Sequence, residues 1–528
     1  MGWPIVIVTT GGIPVTEATN KLGTPVEVAA NGRGTPVTIV ANGGLPVVGS
    51  GGGAPVLLTA PAGLGWSPSA NFYRSPGGVY TTDFTVASKV PVWDTILYID
   101  PQNTSGTASD SANGTSRTTA KRNLGTLLTA INAGTVAAAG TNIFIIVIGL
   151  TADFVAKTSA GPNGVVPTKT IGYFNESPTY RFICPKVASA TGPTWSASTG
   201  YTGAGVYQTT IAAASCYATV DFAMRTTPVS ATGLTLSFSA PMYNRLVKRA
   251  SVQAVADNAG SWYHDGTNLF VKTLDGRAPD ANVLPLAAGD LFRTNAGGTG
   301  QTLYIGGKID AVGGSAGRFI ATADTNTGTI VLDEGCSFQA GCNSVQSGIT
   351  VAVQGPYEVY AYRAAAFTGD TDNWNFHNRL SDGAATFSPR ALLNETVAWR
   401  GGVFGSTDVS SNDDTAHDGS IVVGLNTYDL GSDDRTWAYI QNSKAWFMGG
   451  EIGPTVQGSL GVAGKESIAL LGSGGDARLW MDGVRIAPNP VGQIVVSNGA
   501  LSAAAYTRNM TVPTRSGTAE DTGTLQTY

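Results

Sequence analysis

Charge is scarce in this sequence. Asp, Glu, Lys and Arg make up 13% of 528 residues, and the 31 Lys and Arg are scattered among 36 Asp and Glu. A net charge of −5 with no basic patch makes nucleic acid and anionic membrane surfaces poor partners. Long apolar runs are missing too. The longest, Ile143 to Leu150, is eight residues, far short of the roughly 20 that a spanning helix needs, so no membrane insertion is expected. The start Met1-Gly2-Trp3-Pro4 lacks a basic region, and Ile5 to Val8 is too short for a signal-peptide core. A chain that reads as extracellular yet carries no export signal is expected to leave its cell by lysis, within a particle. The four cysteines, Cys184, Cys216, Cys336 and Cys342, form no CxxC pair and have no histidine at zinc spacing. A loop closed by Cys336 and Cys342 is one reading, but assembly in a reducing cytoplasm favours buried free thiols. No nucleophile elbow, P-loop or dinucleotide fingerprint is present, and no helix follows the glycines at Gly49 to Gly53 to make them a phosphate cradle. Neither a cofactor nor a metal is expected.

What is abundant is glycine, at 69 positions, together with Ser and Thr. That composition suits a turn-dense β protein. Between Met1 and Val56 lie five Pro-Val steps, Pro14-Val15, Pro25-Val26, Pro36-Val37, Pro46-Val47 and Pro55-Val56, after a degenerate Pro4-Ile5. Successive prolines are thus nearly evenly spaced. A representative copy, Gly34-Thr35-Pro36-Val37-Thr38-Ile39-Val40-Ala41-Asn42-Gly43, reads as a short strand closed by an Asn-Gly turn. Such a strand cannot bury a face alone, so neighbouring repeats or other chains must supply the partner surface. Proline at each strand start removes a ladder donor and discourages edge-to-edge growth. A flexible Gly/Pro linker is the alternative, and the recurring Val and Ile argue against it. Residues 1–56 are therefore expected to anchor the chain to a particle, and 57–94, with Trp66, Phe72, Tyr73, Tyr80 and Phe84, to form a packed junction.

From Thr95 the pattern changes. Ile96-Leu97-Tyr98-Ile99 reads as a strand, a Ser/Gly/Asn-rich loop follows to about Arg117, and a helix is expected over about Thr119 to Asn132. Leu124, Leu127, Leu128 and Ile131 fall on one helical stripe, and Gly134 stops it. Asn142 to Leu150 is then a buried strand. After about residue 170, short strands alternate with turns and no second helix is expected. The segments around Trp399, Trp446 and Trp480 are weakly self-similar at spacings of 47 and 34, with Ile421 to Leu425 as an intermediate strand, which fits coils of about 20 to 30 residues.

Strand, polar loop, amphipathic helix, apolar strand: this succession resembles the N-terminal entry of right-handed parallel β-helix proteins, in which a helix covers the open end of the stack. The stretch Gly260-Ser261-Trp262-Tyr263-His264-Asp265-Gly266-Thr267-Asn268-Leu269-Phe270-Val271, followed by Asp275-Gly276-Arg277, is similar to a strand-turn-strand insertion, near 255–285, of phage and bacterial pectate-lyase-like β-helix proteins. The repeat leader resembles those of phage structural proteins. The expected fold is all-β: a right-handed parallel β-helix over 95–500 with one N-terminal capping helix, preceded by the short-strand repeat anchor and followed by a tail, 501–528. A pair of β-sandwiches is the alternative. The resemblance implies a bacteriophage virion component, a tail spike, fibre or head-neck decoration, assembled as a homotrimer. Its implied partners are phage tail, neck or capsid proteins through residues 1–56, and host-surface polysaccharide.

Two polar clusters hold two of the three histidines: Asp370-Thr371-Asp372-Asn373-Trp374-Asn375-Phe376-His377 and Asn412-Asp413-Asp414-Thr415-Ala416-His417-Asp418. By the same resemblance His377 and His417 would share one face with Asp370, Asp372, Asp413 and Asp418. Two carboxylates about 5 to 9.5 Å apart could carry glycoside hydrolysis, with a histidine assisting proton transfer. A lyase would need a basic proton acceptor, for which Arg379 and Arg400 are the nearby choices, so hydrolysis is the better fit. Trp374, Asn375 and Arg379 are the candidates for holding sugar, Trp374 by stacking, while Trp446 and Trp480 sit in apolar strands and are expected to be buried. The same Asp and Asn residues also suit coil-ending turns. A Ca²⁺ site from Asp413, Asp414 and Asp418 lacks the spacing of an EF-hand loop. Three functions therefore stay open: a glycan-engaging appendage, a glycan depolymerase, and a structural component without ligand.

Overall fold

The computed structural model describes residues 54–156, 161–162, 164–188, 192–212, 216–294, 300–320, 327–342, 348–378, 388–404, 412–456, 465–472, 475–499 and 502–528. The repeats up to residue 53 lie outside the described residues, as does Arg379. The last copy is within them. Pro55 immediately precedes the edge strand Val56–Leu58, which pairs antiparallel with Phe72–Arg74, itself paired with Tyr80–Thr82. This three-stranded sheet belongs to a first compact unit, described over 54–60 and 67–88; residues 61–66 and 89–528 form the second.

The second unit is a right-handed parallel β-helix built from sheets of eight, twelve and nine strands. From Asp290 the chain visits them in turn: Asp290–Arg293 in the eight-stranded sheet, Gln301–Gly306 in the twelve-stranded one, Ile309–Val312 in the nine-stranded one, then Ser315–Ile320 beside the first. Every pairing within these three sheets is parallel, which excludes the sandwich, and crossovers between parallel strands are right-handed in about 98% of cases. Coil length follows from the register. Ile421 lies opposite Lys444 and Lys444 opposite Arg478, so one coil runs from 421 to 444 and the next, a longer one, from 444 to 478. Trp446 faces Trp480 across the longer of these coils, so their spacing is a true coil repeat. The spacing from Trp399 to Trp446 is not, because Trp399 belongs to the nine-stranded sheet.

Alternate residues of each strand point into a continuous apolar interior that includes Leu97, Ile145, Val359, Leu393, Phe447 and Leu479. The corner from the twelve- to the nine-stranded sheet is two residues long in several coils, and its first residue is left-handed at Arg363 (φ 49°), Glu395 (φ 52°) and Asn426 (φ 49°). Neighbouring corners offset some of that strain, since the Arg363 guanidinium bonds Glu395 at 2.6 Å and Glu334 at 3.0 Å.

The capping helix is shorter than its sequence suggested. Arg117–Thr119 is a separate 3₁₀ turn and the α-helix is Leu124–Asn132. Its stripe Leu124, Leu127, Leu128 and Ile131 joins the first coils' core, and Gly134 (φ 69°) ends it with its amide on the Ile131 carbonyl. A second helix, Val252–Asp257, does exist. It was missed because its six residues carry too short an apolar stripe. It sits in an excursion between the strands Phe182–Pro185 and Asp290–Arg293 that is larger than the expected strand-turn-strand, holding a five-stranded and a three-stranded sheet. Ala218, Val220, Phe222 and Tyr243 of this excursion cover Ile183, Val312 and Ala340 on the nine-stranded sheet. In the junction, Trp93 stacks on Phe144 at 5.0 Å and Lys89 lies 4.5 Å above Tyr360. All four cysteines are buried free thiols.

Candidate functional site

The two polar clusters occupy adjacent strands of the eight-stranded sheet. Trp374–His377 pairs in parallel with Asn412–Ala416, placing Trp374 opposite Asp414 and Phe376 opposite Ala416. Strand alternation then decides which side chains face the lumen and which face away from it. Trp374 and Phe376 point into the core, and Asn375, His377, Thr415 and His417 point outward. The two histidines come together, with ring centroids 4.7 Å apart and planes inclined by 27°. His377 Nδ1 lies 2.9 Å from Asn378 Oδ1 and 3.3 Å from Asp418 Oδ2. Gln354 precedes His377 in the same row, one strand earlier. Burial and the adjacent His377 ring push His417 down to about 3, so its imidazole is neutral at ordinary pH. Asp418 is left-handed (φ 52°), and its carbonyl accepts from the Ser388 hydroxyl. It ends the strand and reaches the His377 ring at once.

The other carboxylates do not share that surface. Asp370 is ion-paired with Arg245 of the excursion, whose Nη1 also bonds the Thr368 and Gly341 carbonyls. Asp372 is buried, accepting from the Asn375 amide at 2.6 Å and from the Asn412 backbone and side-chain nitrogens at 3.0 and 3.1 Å. Asp413, with no exposure, accepts from Asn373 Nδ2 at 2.7 Å, Gly401 N at 3.1 Å and Gly431 N at 2.8 Å. It fastens the turns of neighbouring coils. Burial pushes both Asp372 and Asp413 up to about 6, against the pull of these donors.

Two of the expected sugar contacts are corrected by the structure. Trp374 has no exposure and stacks beside Phe376 inside the core, so it offers sugar no face. Asn375 is buried and committed to Asp372. Arg400, the second basic candidate, is half-buried, and its guanidinium lies 5.2 Å above Trp399 and 5.7 Å above Phe404. Trp446 and Trp480 are buried. His264, the third histidine, is 2.6 Å from the Ile211 carbonyl through Nε2, while its Nδ1 lies 2.9 Å from the Gly266 amide. It serves the excursion's own turn. Among the described residues, no three His, Cys, Asp or Glu side chains form a metal-binding group.

Sequence reasoning passed over Asp429 and considered Asp414 only as a cation ligand. Both are buried and face the lumen, Asp414 accepting from the Tyr439 hydroxyl at 3.0 Å and Asp429 from Trp437 Nε1 at 2.7 Å. The available signal was positional: Asp414 alternates with Ala416 in a strand whose register partner carries Trp374 and Phe376.

No protein-family model matches the chain, and no curated protein matches its sequence. Among solved structures, one titled "The complex structure of XylC with xylose" is similar over 78% of this chain and 69% of that one, at 10% identity and a TM-score of 0.35. A likeness at that level assigns no activity to this chain.

Proposed function

We propose that this chain is a structural appendage of a bacteriophage particle, a trimeric spike or fibre that engages host-surface glycan and does not cleave it. One observation carries the non-catalytic part. Asp370, Asp372 and Asp413 are each held by internal partners, the latter two buried as well, whereas glycoside hydrolysis needs two carboxylates flanking an accessible sugar. Of the candidates described, His377, His417 and Asp418 share one partly accessible surface, while Asp370, also partly accessible, is locked on Arg245. The histidine group suits hydroxyl recognition better than proton transfer, because an imidazole held down to about 3 is a poor base near neutral pH. The β-helix body supports the appendage reading, as do the Pro-Val repeats at 1–56, which need a partner surface. Through those repeats the chain would join tail, neck or capsid proteins.

The test is incubation of the purified full chain with host-surface polysaccharide, scoring retention on the glycan together with new reducing ends and new unsaturated ends. Retention without new ends is expected, and His377→Ala should weaken it. New ends of either kind overturn the non-catalytic reading. Failure to bind overturns the glycan reading and leaves a purely structural component.

A further inference from the structure

The lumen of the β-helix contains a pair of acids with no counter-charge among the described residues. Asp414 stands in an inward row between Trp374 and Trp437, its register partners on the two flanking strands. Asp429 stands in the inward row of the nine-stranded sheet between Ala398 and Ile452. Trp374, Trp437, Ala398 and Ile452 all belong to the apolar core, so both carboxyl groups are lodged where the neighbouring coils place hydrocarbon. Each has one side-chain donor, both on the strand Arg435–Ile440: Tyr439 for Asp414 and Trp437 for Asp429. Asp414 Oδ1 is buried without a hydrogen-bond partner, as are Asn412 Oδ1 and Trp374 Nε1 nearby.

The groups around the pair are uniformly unable to neutralise it. Asp372 and Asp413 add two more acids. The facing strand Trp374–His377 contributes only Trp374 and Phe376 inward, and the next strand of the twelve-stranded sheet contributes Phe447. Arg435 pairs with Asp434 and Glu466, and Glu451 pairs with Arg485 on the outer side. Among the described residues no Lys, Arg or His pairs with Asp414 or Asp429.

We propose that Asp414 and Asp429 are a proton-holding pair that makes the cohesion of these coils depend on pH, firm while the pair keeps its protons and loosened as they leave. Two adjacent anions in an apolar interior cannot both persist, because the low dielectric magnifies their repulsion and neither is solvated. Burial raises Asp414 to about 7, and burial with the Asp414 charge holds Asp429 well above the usual carboxylate range. The sign follows. In the unfolded chain both acids ionise near pH 4, so from about pH 4 upward folding must hold protons that the unfolded chain releases, and stability falls until the folded pair has itself ionised, above about pH 7. Asp372 and Asp413 act in the same direction but are spent above about pH 6. Asp333 and Asp370 are raised by burial as well, so the pair's own share at the alkaline end is what the Asn variants isolate.

Thermal melting of the full chain between about pH 5 and 9 tests this, for the wild type, Asp414→Asn, Asp429→Asn and the double variant. The wild-type midpoint should fall across the range. The double variant should fall less steeply than the wild type from pH 5 and level off above about pH 6, crossing above the wild type at alkaline pH. Profiles that run parallel from pH 6 to 9 overturn the proposal. If the variants do not fold, the wild type alone decides: its infrared spectrum near neutral pH should show the carbonyl stretch of protonated carboxyl groups, lost reversibly as pH rises, and absence of that band overturns it.

Discussion

Asp310 is one point at which the excursion is bound to the β-helix, beside the Arg245–Asp370 pair, and its replacement by Asn makes a demanding test of the packing described above. The side chain has no exposure. Arg181 donates to both of its oxygens through Nε and Nη2, Tyr243 of the excursion donates its hydroxyl at 2.6 Å, and Ser337 donates at 2.6 Å from the next coil. Gln339 continues the network, bonding Ser337 Oγ at 2.8 Å and the Tyr243 backbone amide at 2.9 Å. Asn keeps the shape but removes the negative charge and turns one acceptor into a donor facing the guanidinium. Arg181 is itself buried, and it also donates to the Gly335 carbonyl at 2.6 Å. Leaving such a cation uncompensated costs about 3–5 kcal/mol. Tyr243→Phe removes one hydrogen bond to a charged acceptor, about 1.5–3 kcal/mol. Because the two act in one network, the double variant should cost less than the sum, with a coupling of about 0.5–3 kcal/mol. Urea unfolding measures the cost, and limited proteolysis within 192–286 reports whether the excursion loosens first. If Asp310→Asn falls within about 0.5 kcal/mol of wild type, as an uninvolved surface change would, this network does not hold the excursion in place.

Two further substitutions probe the interior. Gly424 lies opposite Phe447, and a Cβ there would come within 2.1 Å of Phe447 Cδ1. The ring cannot retreat, since it is stacked on Trp437 at 4.0 Å. Gly424→Ala is therefore expected to cost about 1–3 kcal/mol or more, with partial recovery on adding Phe447→Leu, and an unchanged melting temperature would contradict the packing. Trp374→Ala should cost about 3–5 kcal/mol as a core truncation while the folded protein keeps its glycan affinity. Lost affinity at unchanged stability would return Trp374 to the surface.

The elements legible from sequence were those whose signal is local. Leu124, Leu127, Leu128 and Ile131 announce a helix without reference to anything else, and Ile421 to Leu425 is apolar enough to be a strand in any context. The corners were not legible, because the left-handed positions at Arg363 and Glu395 carry no glycine to mark them. What holds them is partly an ion pair between these two residues, one coil apart. The size of the excursion was hidden for a related reason: its strands gain their partners from one another over long separations, as when Tyr207–Thr210 pairs with Asn268–Lys272.

The site shows the same limit more sharply. Polar neighbours on both sides made Trp374 look exposed, yet alternation requires those neighbours, Asn373 and Asn375, to face away from it. They are buried too, Asn373 bonding Asp413 and Asn375 bonding Asp372. Burial on both faces of a strand erases the contrast between apolar and polar positions from which orientation is read. Asp414 is the converse case, an acid at an inward position, recognisable only once Trp374, on the preceding coil, is known to lie opposite it. Neighbouring coils differ in length, as the steps from 421 to 444 and from 444 to 478 show, and this keeps the register out of reach of spacing alone. Residue type alone left the acids open between catalysis and coil-ending turns. Hydrogen bonds place Asp372 and Asp413 as fasteners between neighbouring coils, and register places Asp414 and Asp429 in the lumen.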